Sequence, residues 1–191
     1  SMKNIVAKAT VEENFPKEFA IYDLNEFLAS LSIFKSPVLE FEEQYLTIKE
    51  EDQPHKKLTY FYSDPSVVQS PTKTITMPSE EVKFHLDMNK LLEMKRAAGV
   101  IGSPDMVLQK SSGNSSLLVK DKKNDTANNY SSDIKTDGDG EYKFFFKVEN
   151  LKLFDGDYDV KISSKNISHF KNDKSNIEYW IALEPESTYS N

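Results

Sequence analysis

The chain has no cysteine, which removes disulfides, thiolate metal sites and cysteine nucleophiles at once. Glycine is nearly as scarce. Six in 191 residues leave no glycine-rich loop to cradle a phosphate, and neither G-x-S-x-G nor H-E-x-x-H occurs. No run of about 18 apolar residues is present, and the N-terminus lacks the basic-then-apolar layout of a signal peptide. The sequons starting at Asn114, Asn124, Asn129 and Asn166 therefore read as chance matches, and an intracellular protein is expected. Histidine is limited to His55, His85 and His169, which the pattern places in a polar turn, a strand and a loop. Each stands alone, without the neighbours a catalytic triad requires, so an enzyme is not expected. What remains is ample material for a core, with 38% hydrophobic and 12% aromatic residues, enough for one or two domains.

The net charge of -7 argues against a general nucleic-acid binder, since phosphate affinity needs clustered lysine and arginine. The charge is uneven, however. Residues 1–63 hold 7 lysines against 11 acids, whereas residues 82–191 hold 16 bases against 17 acids, so one basic face on an acidic protein is possible.

A short unit occurs twice: Asp23-Leu24-Asn25-Glu26-Phe27-Leu28 returns as Asp87-Met88-Asn89-Lys90-Leu91-Leu92, each copy after an apolar run. A weaker echo stands at Glu149-Asn150-Leu151-Lys152-Leu153. In each full copy the aspartate stands where an N-cap opens a helix, predicting helices over 24–34, closed by Pro37, and over 88–98, stopped by Gly99. Leu24, Phe27, Leu28 and Leu31 fall on one face of the first helix. In the second, Met88, Leu91, Leu92 and Ala98 share the core face and Asn89, Lys90, Glu93, Arg96 and Ala97 the opposite one. Strands are expected at 5–11, 19–22, 38–41, 45–49, 58–62, 82–86, 106–110, 116–120, 158–163 and 177–183, and one beginning at Tyr142. Asp137-Gly138-Asp139-Gly140 reads as a hairpin turn. It is not a calcium loop, because an EF-hand begun at Asp137 needs its bidentate glutamate where Val148 stands. No metal or cofactor is expected.

Residues 64–81, with Pro65, Pro71 and Pro78 among Ser and Thr, read as a connector, so the domains are expected at 2–63 and 82–191. The endings Asp64-Pro65-Ser66 and Glu184-Pro185-Glu186-Ser187 test the register. The first domain's one helix entry matches the second half of the later domain, whose two entries lie 62 positions apart, yet only 22 residues precede Asp23. On this reading the first domain lacks roughly 40 residues at its front, including one helix, with Ser1 a cloning scar and Met2 an internal start or an artificial boundary.

Three separated segments carry a family resemblance: Phe19-Ala20-Ile21-Tyr22-Asp23-Leu24-Asn25-Glu26-Phe27-Leu28; Asp64-Pro65-Ser66 with Pro71, Lys73, Ile75 and Pro78; and Ala182-Leu183-Glu184-Pro185-Glu186-Ser187-Thr188. In order and over nearly the whole chain they resemble the DNA polymerase sliding clamps of tailed myovirus-type bacteriophages, which are similar to proliferating cell nuclear antigen. The resemblance implies an α+β DNA clamp fold, with two similar domains of antiparallel sheets and helices on the inner face. It implies a homotrimeric ring around duplex DNA that tethers the replicative polymerase, is opened by a clamp loader and acts in the host cytoplasm. Lys90 and Arg96 would face the DNA, with Lys35, Lys147 and Lys152 near it. Glu93 departs from a basic lining. Val67, Val68, Pro71, Ile75 and Leu183 would contribute to a groove for partner peptides. A missing front would remove one of four pore helices and open sheet edges, so weak ring formation is expected. The alternative is a clamp-fold scaffold without a ring that recruits replication or transcription proteins.

Overall fold

The computed structural model describes residues 4–68, 71 and 74–190; Ser1, Met2 and Lys73, to which expectations attach, lie outside them. In chain order the elements are β1 (Ile5–Ala9), α1 (Leu24–Ser32), β2 (Pro37–Phe41), β3 (Tyr45–Glu50), β4 (Gln53–Phe61), β5 (Val82–Leu86), α2 (Met88–Ile101), β6 (Asp105–Ser111), β7 (Asn114–Lys120), β8 (Tyr130–Asp133), β9 (Glu141–Lys147), β10 (Tyr158–Ser163), β11 (Ile167–Asn172), β12 (Ile177–Ala182) and β13 (Thr188–Ser190). Single 3-10 turns lie at Pro65–Val67 and Val148–Asn150. The chain forms two compact units, a larger one of residues 1–11 with 74–191 and a smaller one of residues 12–73. Residues 5–9 thus join the larger unit rather than a domain 2–63, because β1 finds its partner on the edge of β12, pairing Ile5 with Ile181 through Ala9 with Ile177.

The larger unit has two antiparallel sheets of five strands, ordered β1-β12-β11-β10-β5 and β13-β9-β6-β7-β8. Strict alternation builds the core. Val82, Phe84 and Leu86 on β5, Tyr158, Val160 and Ile162 on β10, and Tyr142, Phe144 and Phe146 on β9 enter one cluster while their neighbours stay out. Helix α2 adds Leu91, Met94 and Ala98 to it. Leu92, expected on the core face, is 40% exposed. Asp87 caps the helix by accepting from the Lys90 amide at 2.8 Å. The helix passes through Gly99 and ends at Gly102, whose φ of 66° is the left-handed conformation a C-terminal glycine supplies. Gly99 is therefore not the stop.

The echo at Glu149–Leu153 opens no helix. Beyond one 3-10 turn, Leu151 and Leu153 are buried and Lys152 between them is exposed, a period of two. Asp137–Gly140 is not a hairpin either, because β8 and β9 lie on opposite sides of the β6-β7 pair. The segment crosses between them and is pinned on the way by paired backbone bonds between Asp137 and Lys83 of β5, at 2.9 and 2.7 Å. In this unit a two-residue hairpin turn stands at Ser112-Gly113, with φ of 52° and 84°, between β6 and β7. His169 stands on β11 rather than in a loop. It is bonded to Glu178 at 2.8 Å and stacked on Trp180, and its strand escaped notice for lack of a long apolar run. His55 lies within β4, not in a turn.

In the smaller unit α1 covers one face of the sheet β2-β3-β4. Asp23 caps it as expected, accepting from Glu26 at 3.1 Å. Among the described residues its buried apolar side chains are Phe27, Phe34, Leu46 and Ile48, supplemented by rings of Phe19, Phe41, Tyr60 and Tyr62. Residues 19–22 form no strand. Their backbone is irregular, with the Ala20 carbonyl accepting from Ser63, and Phe19 serves the ring cluster. A three-stranded sheet covers a single stripe of a helix, so Leu24 and Leu28, expected in the core, are 59% and 52% exposed.

Candidate nucleic-acid and partner interfaces

The five lysine and arginine positions expected to face DNA separate by what already holds their charge. Lys90, in the first turn of α2, donates to Ser132 Oγ and pairs with Glu93 at 3.2 Å. Lys147 pairs with the fully buried Asp105 at 2.6 Å and approaches Glu184 at 3.8 Å. It belongs to a network in which Lys122, itself bonded to Glu184 and Glu186, ties down the chain end, so its charge is structural. Arg96, Lys35 and Lys152 are exposed and form no ion pair among the described residues. Arg96 lines a groove of about 530 Å³ with Leu92, Val100 and Tyr130. Near Lys35 the chain is fixed by Glu50, whose carboxylate accepts the amides of Lys35 and Ser36 at 3.0 and 2.7 Å. Those two bonds hold it below the usual glutamate range.

The residues expected in a peptide groove do not share one environment. Leu183 is a core residue, 6% exposed, with its amide bonded to Asn166, because it continues the inward alternation of Tyr179 and Ile181. Val67 and Pro71, in the smaller unit, are exposed and Val68 is half-buried; Ile75, in the larger unit, is half-buried. Among the described residues no cluster of His, Asp and Glu could hold a metal.

Sequence reasoning expected open sheet edges without locating them on particular strands. Among the described residues β4 pairs only with β3, and β8 only with β7. The amide of Tyr62 bonds Gln44 on the β3 side and that of Ile134 bonds Ser115 on β7. Alternation along an antiparallel strand then turns the amides of Thr59 and Phe61, and of Ser131 and Asp133, outward. A helix flanks each edge. Tyr60 Oη reaches the Asp23 carbonyl at 3.4 Å and Lys56 Nζ the Ile33 carbonyl at 3.3 Å, so α1 runs along β4. Tyr130 Oη donates to Glu93 at 2.6 Å, so α2 runs along β8. Beside both edges the helices leave apolar side chains exposed, Leu24 and Leu28 on α1 and Leu92 and Val100 on α2.

The edges also differ in charge. β4 carries His55, Lys56 and Lys57 and no acid, while β8 ends on Asp133. Pro54 and the two lysines discourage promiscuous pairing over the first half of β4. That leaves Leu58–Phe61, as long as β8.

The gp45 sliding clamp C-terminal model matches residues 83–185, which span β5 to the end of β12. The sliding clamp of Vibrio phage KVP40 is 31% identical over 185 residues, covering 94% of this chain and 82% of its relative. That of Enterobacteria phage T4 is 26% identical over 198 residues, with 96% and 82% covered. Among solved structures, the Caulobacter crescentus β sliding clamp superimposes with a TM-score of 0.68 at 14% identity, over 96% of this chain and 52% of that one. A. fulgidus PCNA, solved with the C-terminal region of FEN-1, gives 0.54 at 18% identity over 78% and 64%. This chain thus spans about half the length of the bacterial chain, and those two likenesses speak for the fold alone. With a family model over more than half its length and a phage relative at 31% identity, the chain belongs to the gp45 sliding clamp family.

Proposed function

We propose that copies of this chain join edge to edge into a closed ring around duplex DNA and hold the replicative DNA polymerase on its template. The observation that carries this reading is the pair of unlike, complementary edges. β4 beside α1 is basic and β8 beside α2 ends acidic, each with exposed apolar helix residues alongside. An interface between unlike patches leaves one of each free at every step, so it either closes into a ring or runs on as a filament. Three copies close it, as expected of this family. A four-residue strand pair with two or three apolar contacts is a small interface, so association on the order of micromolar or weaker is expected.

Function here is topological rather than chemical. Arg96, Lys35 and Lys152 supply a weak, sequence-independent attraction to phosphates that permits sliding. Lys90 and Lys147 drop out of that set because their charge is already spent. Val67, Val68 and Pro71 offer apolar surface to partner peptides of the polymerase and of a clamp loader, in the host cytoplasm where phage DNA is copied.

Sedimentation of the Ser131→Pro and Thr59→Pro variants tests the ring, since each deletes one outward amide while sparing the bonds within its own sheet. Both are expected to abolish association seen with the unaltered chain. Retention on nicked circular DNA after loading with loader and ATP, and loss on linearisation, tests topological binding. Persistence on linear DNA would overturn it.

A further inference from the structure

β8 is an unpromising strand to have in place at all. It has four residues, only Tyr130 is apolar in part, it follows the irregular stretch 121–129, and it has one sheet neighbour. Two side-chain ties from α2 compensate. Tyr130 Oη donates to Glu93 Oε1 at 2.6 Å, and Lys90 Nζ donates to Ser132 Oγ. Lys90 and Glu93, three positions apart on one helix face, close the set with an ion pair at 3.2 Å. Tyr130 and Ser132, two apart, share the strand face toward the helix, so all four groups form one clasp. The same geometry leaves the outward amides of Ser131 and Asp133 free.

We infer that the Tyr130–Glu93–Lys90–Ser132 clasp positions the open edge of β8 for pairing with a second copy of the chain, making Glu93 and Tyr130 positioning residues for self-association. The inference rests on the edge-to-edge reading above. It also accounts for an acid on a helix expected to be basic: Glu93 faces Tyr130 and Lys90, not solvent alone. The Tyr130 hydrogen bond, then the Lys90 bond, hold the Glu93 carboxyl below the usual glutamate range, and the same contact raises the Tyr130 phenol. The side chains of Lys90 and Glu93 are 22% and 37% exposed, so solvent screens their pair only in part.

A double-mutant cycle tests it, with the self-association constant measured by sedimentation and the urea midpoint measured beside it. Glu93→Ala and Tyr130→Phe are each expected to weaken association about tenfold, the scale of one hydrogen bond to a charged group. The double variant should be little worse than either single one. Glu93→Gln, which keeps an acceptor for Tyr130, should recover most of the loss, and the urea midpoint should move little throughout. Lys90→Ala should weaken association yet leave the salt dependence of DNA retention unchanged. Wild-type association in Glu93→Ala and Tyr130→Phe would sink the clasp. If Ser131→Pro still weakens association in that case, only the clasp fails; if Ser131→Pro also has no effect, the edge reading fails with it.

Discussion

Gly99 and Gly102 stand three positions apart on α2 and are expected to respond to alanine with opposite signs. Gly99 is inside the helix with open space where a Cβ would go, so Gly99→Ala should stabilise by roughly 0.5–1 kcal/mol. Gly102 holds a φ of 66°, so Gly102→Ala should destabilise by about 1 kcal/mol; urea midpoints of the two variants check both signs. From the sequence alone the two glycines are interchangeable as helix stops, because the left-handed turn is a property of the backbone.

The cations divide in the same way. Lys147→Ala would leave the buried Asp105 carboxylate without its ion-pair partner, with only the Lys122 amide at 3.0 Å, and cost roughly 3–5 kcal/mol, so it reports on folding. Arg96→Ala should change stability by no more than about 0.5 kcal/mol and lower the salt slope of DNA binding by about one. Composition points to a basic half of the chain, but Lys147 and Asp105 are 42 positions apart and nothing local marks one as the other's partner.

At the level of elements, both helix entries were legible because an N-cap is a local device: an aspartate and the amide three residues on. Asp23→Ala and Asp87→Ala should each cost about 1 kcal/mol in thermal or urea unfolding. β8 was not legible, since Tyr-Ser-Ser-Asp has neither alternation nor length and is held by helix side chains from far along the chain. β11 failed for a related reason, as Ile167 faces outward while the polar Ser168 and Asn172 are buried, which blurs the period of two.

The link between α1 and β2 carries a pH dependence of its own. Glu50 has its carboxyl lowered by the Lys35 and Ser36 amides, so its contribution is present above the ordinary glutamate range and is lost as pH falls through the lowered value. Stability of the unaltered chain should therefore fall between about pH 5 and pH 3 more steeply than that of Glu50→Gln, measured by urea titration across that range.

At the scale of the whole molecule, the clamp fold and its two-part organisation follow from the repeat, the endings and the resemblance. The share of the chain in each part does not, since β1 is sorted by an edge some 170 positions away that no local pattern announces. That placement has a mechanical consequence. Because β1 is laced to β12 through five residue pairs, the smaller unit is an insertion within the larger one, leaving it and returning to it. A single backbone cut engineered after residue 73 would sever the covalent path through the connector yet leave the front fragment bound to the rear one by that strand. The two pieces are expected to co-elute under native conditions and part only in denaturant.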